Sequence, residues 1–413
     1  MEPPVNPSST RPWLSIIGLG EDGLDGLSPA ARNLLAQACL VVGGKRHLAL
    51  AGDFPGEQLA WPSPPDAAFP EILAQRGRPV CVLASGDPFF YGIGSLLMQH
   101  VAAEEMLCLP SPSAFSLAAS KLGWAQQDCA LLTLHGRPLE RIIPQLQPGA
   151  RILALSWDGT TPAKLAALLT ARGMGRTILT VLENLTGPRE RIRQSLADGF
   201  ASGDIDPLNT IAIEVVADHD ARIIPRAGSL PDHWFEHDGQ ITRREMRAVT
   251  LSALAALAAR RGEVLWDIGA GSGSVSIEWM LADAANRAIA IDRDPARIAR
   301  IKRNALSLGV PDLQIVEGAA PDILQGLPRP DAIFVGGGAT VDGVLDAAWA
   351  ALAKNGRLVV NAVTIETQAE LTRRFTALGG ELLSFNFARA DRIGGFHGWR
   401  AAMPVVQWSV IKP

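Results

Sequence analysis

A glycine-rich turn between an apolar segment and a helical pattern constrains the fold of this chain most. The stretch LWDIGAGSGSVSIEW, residues 265–279, has glycine at positions 269, 271 and 273. Glycine at such a turn lets the backbone bend sharply and lets a ligand approach with no Cβ in the way. A dinucleotide-binding turn has the spacing GxGxxG, whereas the spacing here is GxGxG. We therefore expect a Rossmann-like turn that binds a different ligand.

The acids and small residues around this turn indicate the ligand. Pyrophosphate favours a helix N-terminus free of acids, whereas Asp267 suits an ammonium group such as that of S-adenosylmethionine. Asp292 ends the next apolar strand, at the spacing where an acid accepts hydrogen bonds from ribose hydroxyls, and the small residues 318–320 leave room for an adenine. We predict an S-adenosylmethionine site formed by Asp267, Gly269, Ala270, Gly271, Ser272, Gly273, Asp292, Ala319 and Ala320.

The first half carries a different glycine pattern. The apolar strand LSIIGLG closes on Gly18 and Gly20, and the strand PVCVLAS leads into the turn Gly86-Asp87-Pro88. Proline fixes φ and glycine relieves crowding in such a turn. Because ligands of α/β sheets bind at the carboxyl ends of strands, we expect a crevice there, although the residues alone do not define its ligand.

Apolar strands alternate with helical segments in both halves, which predicts an α/β architecture with mostly parallel sheets. The stretch after Val216 is polar, contains proline and glycine, and has no sustained period, which is typical of a linker. We expect a disordered tail at residues 1–12, a first domain at 13–216, a linker at 217–238 and a second domain at 239–413.

Composition excludes several classes of protein. The 413 residues are 47% hydrophobic and 19% charged, with a net charge of -4, which indicates a globular chain with no general attraction to nucleic acid or anionic lipid. No apolar run approaches the ~20 residues of a membrane helix, and the N-terminus has no signal-peptide core. We expect a cytoplasmic protein with no nucleic-acid or membrane partner.

The cysteine and histidine patterns predict no metal site. The four cysteines are irregularly spaced, which indicates neither a zinc site nor a disulfide framework. His233 and His237 have the spacing of zinc ligands on a helix. However, they follow Pro231 and have no third histidine at a motif spacing.

The motifs of the first half resemble those of the tetrapyrrole methylases. They are GLGEDGLDGLS, SGDPFFYG, PSPSAFSLAASKLG, LHGR and TIAIE, over about residues 13–215. The second half resembles the decarboxylating precorrin methyltransferases in GQITRREMRAVTLSAL, DIGAGSGSVSIEW, AIDRDPARIARIKRNA, VEGAAPDIL, FVGGG and LVVNAVTIET, over about 239–413. The resemblance implies an α/β fold of two domains: an N-terminal bilobal tetrapyrrole-methylase-like domain and a C-terminal Rossmann-like class I methyltransferase domain.

The resemblance also implies an activity. Chains that fuse these two domains are bifunctional methyltransferases of cobalamin biosynthesis, which methylate precorrin-6 at C5 and C15 and decarboxylate the C12 acetate to give precorrin-8. The N-terminal domain would methylate C5, and the C-terminal domain would methylate C15 and release CO2. The family further implies homo-oligomers and one S-adenosylmethionine per domain.

The family's cofactor residues fall on Thr242, residues 269–273, Asp292 and Ala320 in the second half. In the first half they fall on the Gly18–Gly20 loop and on Gly86, Asp87 and Pro88. This chain departs from the family pattern after Gly20, where Glu21-Asp22 stands in place of the Gly-Pro pair of many tetrapyrrole methylases.

The implied substrate carries many carboxylates, which arginines bind bidentately. Arg243 and Arg247 share a helix face, and Arg392 lies in ARADRIGGFHGWR, a segment predicted to be a loop that closes over a ligand. With Asn361, these three are the predicted substrate-binding residues. The meso carbons of the substrate are already nucleophilic, so alignment and exclusion of water are the main requirements. An acid would assist the loss of CO2, and Glu366 and His397 are the predicted catalytic residues.

Two alternatives remain open at this point. One is an RNA or other small-molecule methyltransferase whose first half only binds, and the absence of a basic and aromatic surface pattern counts against RNA. The other is an NAD(P)-dependent oxidoreductase, against which the GxGxG spacing and Asp267 count.

Overall fold

The computed structural model describes residues 12–201, 203–225, 228–256 and 262–413. The predicted tail therefore lies outside the described residues, apart from Pro12. The chain divides into two compact units, one of residues up to Leu139 with Gln145–Arg222, the other of Glu140–Pro144 with Ile223–Pro413. In the described part of the chain, no helix combines the length and apolar character needed to cross a membrane.

The first sheet of the first unit has five parallel strands in the order β3-β2-β4-β1-β5. Its elements are β1 (Leu14–Leu19), α1 (Pro29–Gln37), β2 (Leu40–Gly43), α2 (Lys45–Ala51), β3 (Glu57–Ala60), α3 (Phe69–Ala74), β4 (Val80–Ser85), α4 (Gly94–Leu97) and β5 (Met106–Leu109). Helix α1 begins where the Ser28 side chain accepts a hydrogen bond from the Ala31 N–H, with proline at the first helical position. Because all five strands are parallel, their carboxyl ends share one edge.

The second sheet of this unit is mostly antiparallel, so the prediction of a mostly parallel sheet is wrong here. Its strand order is β6-β7-β10-β8-β9, and only β6 and β7 run parallel. A short turn instead of a helix joins β8 to β9, and a short turn can join only antiparallel neighbours. The elements are α5 (Ala114–Leu122), β6 (Cys129–Thr133), β7 (Arg151–Leu155), α6 (Thr161–Ala171), β8 (Ile178–Glu183), β9 (Arg191–Leu196) and β10 (Asn209–Glu214).

The second unit is built on a seven-stranded sheet in the order β13-β12-β11-β14-β15-β19-β16, in which β19 runs opposite to the other six strands. Its elements are α7 (Arg244–Ala256), β11 (Val264–Ile268), α8 (Ser274–Ala282), β12 (Arg287–Asp292), α9 (Pro295–Ser307), β13 (Gln314–Glu317), β14 (Ala332–Val335), α10 (Val344–Ala351), β15 (Arg357–Ala362), α11 (Ile365–Leu378), β16 (Glu381–Phe385), β17 (Ala388–Ile393), β18 (Phe396–Ala401) and β19 (Val405–Ile411). The parallel strands predicted for this half are confirmed, and their apolar side chains form one buried core.

One segment of the second unit differs from prediction, and the stretch predicted to be a linker contains buried residues. Strands β17 and β18 pair as an antiparallel hairpin that turns at Gly394-Gly395, so the loop predicted there is wrong, since a glycine pair between two strands is itself a hairpin signal. Within the stretch predicted to be a linker, Leu230 and Phe235 are buried, and the Ser229 and Leu230 N–H groups donate to Glu278. Single buried apolar residues of this kind produce no periodic hydrophobic pattern, so they cannot be recognised from the sequence.

Candidate functional site

The glycine turn predicted to bind a cofactor joins β11 to α8 at the carboxyl edge of the large sheet. The N–H groups of Gly269 and Ala270 both donate to the Ile291 carbonyl, at 2.9 and 3.0 Å. A Cβ at Gly269 would lie 2.9 Å from backbone atoms of Gly337, whereas at Gly271 the nearest atom would be 3.4 Å away. Packing therefore requires glycine at 269, and the open face of the turn is at Gly271.

Asp267 is buried beneath this turn with one oxygen satisfied and one free. Its Oδ2 accepts hydrogen bonds from the Ser276 N–H at 3.1 Å and the Ser276 hydroxyl at 2.7 Å. Its Oδ1 is buried and has no hydrogen-bond partner among the described residues. Burial raises the pKa of Asp267 to about 6, although the hydrogen bonds from Ser276 oppose that rise. The protein has thus placed a carboxylate oxygen where only a ligand or water can satisfy it.

Asp292 connects the turn to the next two strands. Its Oδ2 accepts from the Gly271 N–H at 2.9 Å and its Oδ1 from the Asp294 N–H at 3.0 Å. The Asp292 carbonyl accepts from the Gly318 N–H at 2.9 Å, which places the segment containing Ala319 and Ala320 beside it. The structure therefore brings the three parts of the predicted cofactor site to one edge of the sheet.

The groups around this turn fit S-adenosylmethionine. Asp267 Oδ1 and the Ser272 hydroxyl are both buried without a partner in the described chain, and an ammonium group would supply the missing donors. Each Asp292 oxygen has accepting capacity left for a ribose hydroxyl. A pyrophosphate, by contrast, would meet two carboxylates.

Thr242 and Arg243 lie next to the turn, just before α7. The Gln240 carbonyl is the atom nearest to the open face of Gly271, so the chain passes the predicted cofactor site immediately before Thr242. The Arg243 side chain is 55% exposed and lies 3.7 Å from the Asp232 carboxylate. This guanidinium is accessible to a ligand.

Arg247 is not accessible, and the prediction that it binds substrate is corrected. Its side chain is fully buried, with Nε donating to Glu278 at 2.5 Å and Nη1 donating to Asp232 at 3.1 Å. Nη1 also donates to the Thr242 carbonyl, and Nη2 donates to the Leu230 carbonyl. The spacing correctly places Arg243 and Arg247 on the same side, since both lie near Asp232. Spacing alone does not reveal that Arg247 packs inward.

Asn361 is the last residue but one of β15 and belongs to a side-chain network that sequence reasoning missed. Its amide donates to the Thr250 hydroxyl at 2.9 Å, and the Gln407 amide donates to its Oδ1 at 2.9 Å. Thr250 and Gln407 are buried. The network fixes which way the Asn361 amide faces and leaves it one further N–H for a ligand.

The two predicted catalytic residues lie on different elements. Glu366 is exposed in the first turn of α11, five positions after Asn361. His397 is exposed on β18, directly opposite Arg392 on β17. Neither the Glu366 nor the His397 side chain has a hydrogen bond or ion pair with another residue in the described ranges. The strand register places His397 beside Arg392, whereas Glu366 lies on a separate helix.

In the first unit the two predicted glycine segments meet. A Cβ at Gly18 would lie 1.9 Å from the Gly86 carbonyl oxygen, and the Gly86 N–H donates to the Leu19 carbonyl at 3.2 Å. At Gly20 a Cβ would lie 2.5 Å from the Asp22 carboxylate. Close packing of the chain with itself accounts for these glycines.

The turn after β4 presents exposed aromatic side chains. The Asp87 carboxylate accepts from the Phe89 N–H at 2.9 Å, and the Pro88 carbonyl accepts from the Gly94 N–H at 2.9 Å. The turn is thereby rigid, while Phe89 and Tyr91 remain 44% and 46% exposed. A flat apolar ligand would find contact surface here.

The strand order of the second unit and its glycine turn define a Rossmann-like methyltransferase domain, and the first unit is a two-sheet α/β domain. Residues 14–200 match the family model for tetrapyrrole (corrin/porphyrin) methylases, and residues 233–412 match the model for a precorrin methyltransferase domain.

The full length of the chain also matches a curated relative. A Sinorhizobium protein named precorrin-6Y C(5,15)-methyltransferase [decarboxylating] is 54% identical over 407 residues, which cover 98% of each chain. The chain therefore belongs to the family of decarboxylating precorrin-6Y C5,15-methyltransferases.

Two shorter relatives each cover 43% of this chain. A Salmonella typhimurium protein named cobalt-precorrin-7 C(5)-methyltransferase is 34% identical over 88% of its own length. A Pyrobaculum calidifontis protein named "Probable cobalt-precorrin-6B C(15)-methyltransferase (decarboxylating)" is 36% identical over 92% of its length.

Proposed function

We propose that this chain is a bifunctional methyltransferase of cobalamin biosynthesis. It methylates precorrin-6 at C5 and C15 and decarboxylates the C12 acetate to give precorrin-8. The observation that carries this proposal is the 54% identity along almost the whole chain to a decarboxylating C5,15-methyltransferase. The carboxylates around the Gly269–Gly273 turn support a methyl donor with an ammonium group over a pyridine nucleotide.

Tetrapyrrole methylases use S-adenosylmethionine, and we propose that each unit of this chain binds one molecule of it. In the second unit the site comprises Thr242, residues 267–273, Asp292, Ala319 and Ala320. In the first unit it comprises Gly18, Gly20 and the turn Gly86-Asp87-Pro88. The contact between the last two segments supports a single site there.

We further propose that the first unit methylates C5 and the second methylates C15 and releases CO2. The two shorter relatives carry these two activities in separate proteins, each the length of about one unit. The domain limits we propose are 13–216 and 239–413, with 217–238 between them. The tetrapyrrole methylase and precorrin methyltransferase models match the two parts in that order.

The residues of the second unit have separable roles in the proposed reaction. The cofactor, when bound, supplies a methyl group already activated for transfer to a nucleophilic carbon. Asp267 holds its ammonium group, Asp292 orients its ribose, and Gly271 permits close approach. Arg243 and Arg392 bind substrate carboxylates, and Asn361 orients the ring.

The loss of CO2 requires a proton to be held near the ring system while the carbon–carbon bond breaks. Glu366 and His397 are the proposed residues for this step. Each is exposed and has no partner within the described ranges, so each is free to meet a substrate.

We propose that the chain forms homo-oligomers in the cytoplasm. The β17–β18 hairpin supports this, because Phe396 and Trp399, which lie on its opposite faces, are 82% and 78% exposed and exposed apolar surface often marks an interaction site. Light scattering on the chain with Phe396→Ser and Trp399→Ser should show a smaller particle than the unsubstituted protein. An unchanged mass would refute this assignment.

Mass spectrometry of the substrate incubated with isotopically labelled S-adenosylmethionine tests the main proposal. The expected product has gained two labelled methyl groups and lost one CO2. A product with no added methyl group would overturn the proposed function, and a product with one would overturn its bifunctional form.

A further inference from the structure

Three neighbouring parallel strands of the first unit bring four polar side chains together. Glu21 follows the end of β1, and Ser85 ends β4, the strand beside β1. Arg46 and His47 follow β2, on the other side of β4. The carboxyl ends of such strands are where α/β sheets bind ligands, and Ser85 immediately precedes the Gly86-Asp87-Pro88 turn.

The Arg46 guanidinium is the centre of this cluster. Its Nη1 donates to the Glu21 carboxylate, and its Nη2 lies 3.0 Å from both His47 Nε2 and the Ser85 hydroxyl. His47 Nε2 lies 2.9 Å from the same hydroxyl. A guanidinium can only donate, so His47 Nε2 acts as an acceptor and the imidazole is neutral. Burial, together with the charge of Arg46, lowers the pKa of His47 to about 4, which agrees with that state.

This arrangement holds the guanidinium firmly but does not saturate it. Arginine has five N–H donors, and Glu21, His47 and Ser85 account for three of them. The Arg46 side chain is 36% exposed, in contrast to Arg247. Two donors therefore remain for a ligand, beside the turn that carries the exposed Phe89.

We propose that Arg46 is a receptor for a substrate carboxylate in the first unit, and that Glu21, His47 and Ser85 position its guanidinium. The ligand class is a carboxylate on a flat ring system, with the ring against Phe89 and the carboxylate against Arg46. This inference rests on the proposed function, because it assigns the polycarboxylate substrate to the first unit.

The test compares Arg46→Ala with the unsubstituted full-length chain, with C5 and C15 methylation resolved by mass spectrometry. We expect the substrate KM of the C5 reaction to rise about 10- to 100-fold, the effect of losing a charge-assisted hydrogen bond. The KM for S-adenosylmethionine and the C15 reaction should stay within about twofold. Arg46→Lys should recover part of the loss because it keeps the charge.

Glu21→Gln separates substrate binding from a merely structural ion pair. If Arg46 served only to hold Glu21, the two substitutions would have equal effects on both KM values, and the inference would be overturned. If Arg46 binds substrate, Glu21→Gln should raise the substrate KM less than Arg46→Ala does. Arg176→Ala, which removes a surface ion pair with Asp218 elsewhere in the unit, is the matched control.

The failure of this inference is distinguishable from failure of the proposed function. An unsubstituted chain that adds no methyl group overturns the proposed function. An active chain whose C5 reaction is unchanged by Arg46→Ala overturns only the carboxylate receptor.

Discussion

Asp267→Asn should make the second unit more stable at neutral pH and at the same time weaken its hold on S-adenosylmethionine. The pKa of Asp267 rises from an ordinary 3.8 to about 6. Since one pKa unit corresponds to about 1.36 kcal/mol, the fold disfavours the ionised carboxylate by about 3 kcal/mol. Asparagine accepts the same hydrogen bonds from Ser276 without ionising, so it removes this cost. Its buried amide N–H groups lack an acceptor, and their desolvation makes about 3 kcal/mol the upper limit of the gain.

The pH dependence has a definite sign. The folded chain keeps the Asp267 proton to a higher pH than the unfolded chain does, so the stabilising contribution of the neutral carboxyl is complete below about pH 3.8. It is lost as the pH rises from there to about 6. Asp267→Asn should therefore raise the free energy of unfolding of the second unit at pH 8 by up to about 3 kcal/mol, with no gain at pH 4.

Cofactor binding should change in the opposite direction. Loss of the charge-assisted hydrogen bond to an ammonium group should raise the S-adenosylmethionine KM of the CO2-releasing reaction about 10- to 100-fold. In the unsubstituted chain this KM should rise as the pH falls below 6, where Asp267 becomes protonated, and in the variant it should not.

Denaturant unfolding at pH 4 and pH 8 measures the change in stability. A titration of CO2 release against S-adenosylmethionine measures the change in cofactor KM. Asp331→Asn is the matched control, because Asp331 accepts a backbone N–H from Val264 at the opposite end of β11. An S-adenosylmethionine KM within twofold of the unsubstituted value would refute the ammonium role. Equal destabilisation of the variant at both pH values would refute the argument from burial.

Three further changes test other parts of the second unit. Arg247→Met leaves the buried Glu278 carboxylate without its cation, so it should destabilise the unit by about 3–5 kcal/mol in denaturant unfolding. Arg243→Ala should instead raise the substrate KM of the C15 reaction about tenfold. A destabilised Arg243→Ala chain beside an Arg247→Met chain with only a raised substrate KM would contradict the assignment of Arg247 to the fold and Arg243 to the substrate. Thr250→Val removes one of the two hydrogen bonds that orient the Asn361 amide, so it should lower kcat/KM of the C15 reaction about 5- to 30-fold. Unchanged kinetics would show that Asn361 does not belong to the site. Gly269→Ala should lower the melting temperature, because a left-handed φ costs about 1–2 kcal/mol and the added Cβ meets backbone; an unchanged melting temperature would contradict that packing.

Local patterns in the sequence predicted the parts of the site that lie within one strand–turn–helix unit. The glycine turn, Asp267 and Asp292 could be predicted because each lies at the carboxyl end of an apolar strand and such strands end at one edge of a parallel sheet. Arg247 shows the limit of periodicity, since its spacing from Arg243 places both on one face but says nothing about which end of that face is buried.

The side chains that sequence reasoning missed are joined across long stretches of chain. Thr250 and Asn361 are 111 residues apart, and Thr250 and Gln407 are 157 apart, so no spacing rule brings them together. Arg46 had a local signal, because it lies three residues after the end of the buried strand β2. A search for charged residues after every apolar strand would have found it.

The buried carboxylate of Asp267 is the strongest argument that the second unit binds a cation. A side chain needed only to anchor α8 would have to accept two hydrogen bonds from Ser276, and asparagine does this without the cost of a buried charge. Compared with asparagine, the carboxylate replaces two N–H donors with a negatively charged oxygen that has no partner in the described protein. That charge destabilises the unliganded fold, and it becomes favourable when a positively charged group lies against it. We therefore propose that a cationic ligand at the open glycine turn completes the surroundings of Asp267.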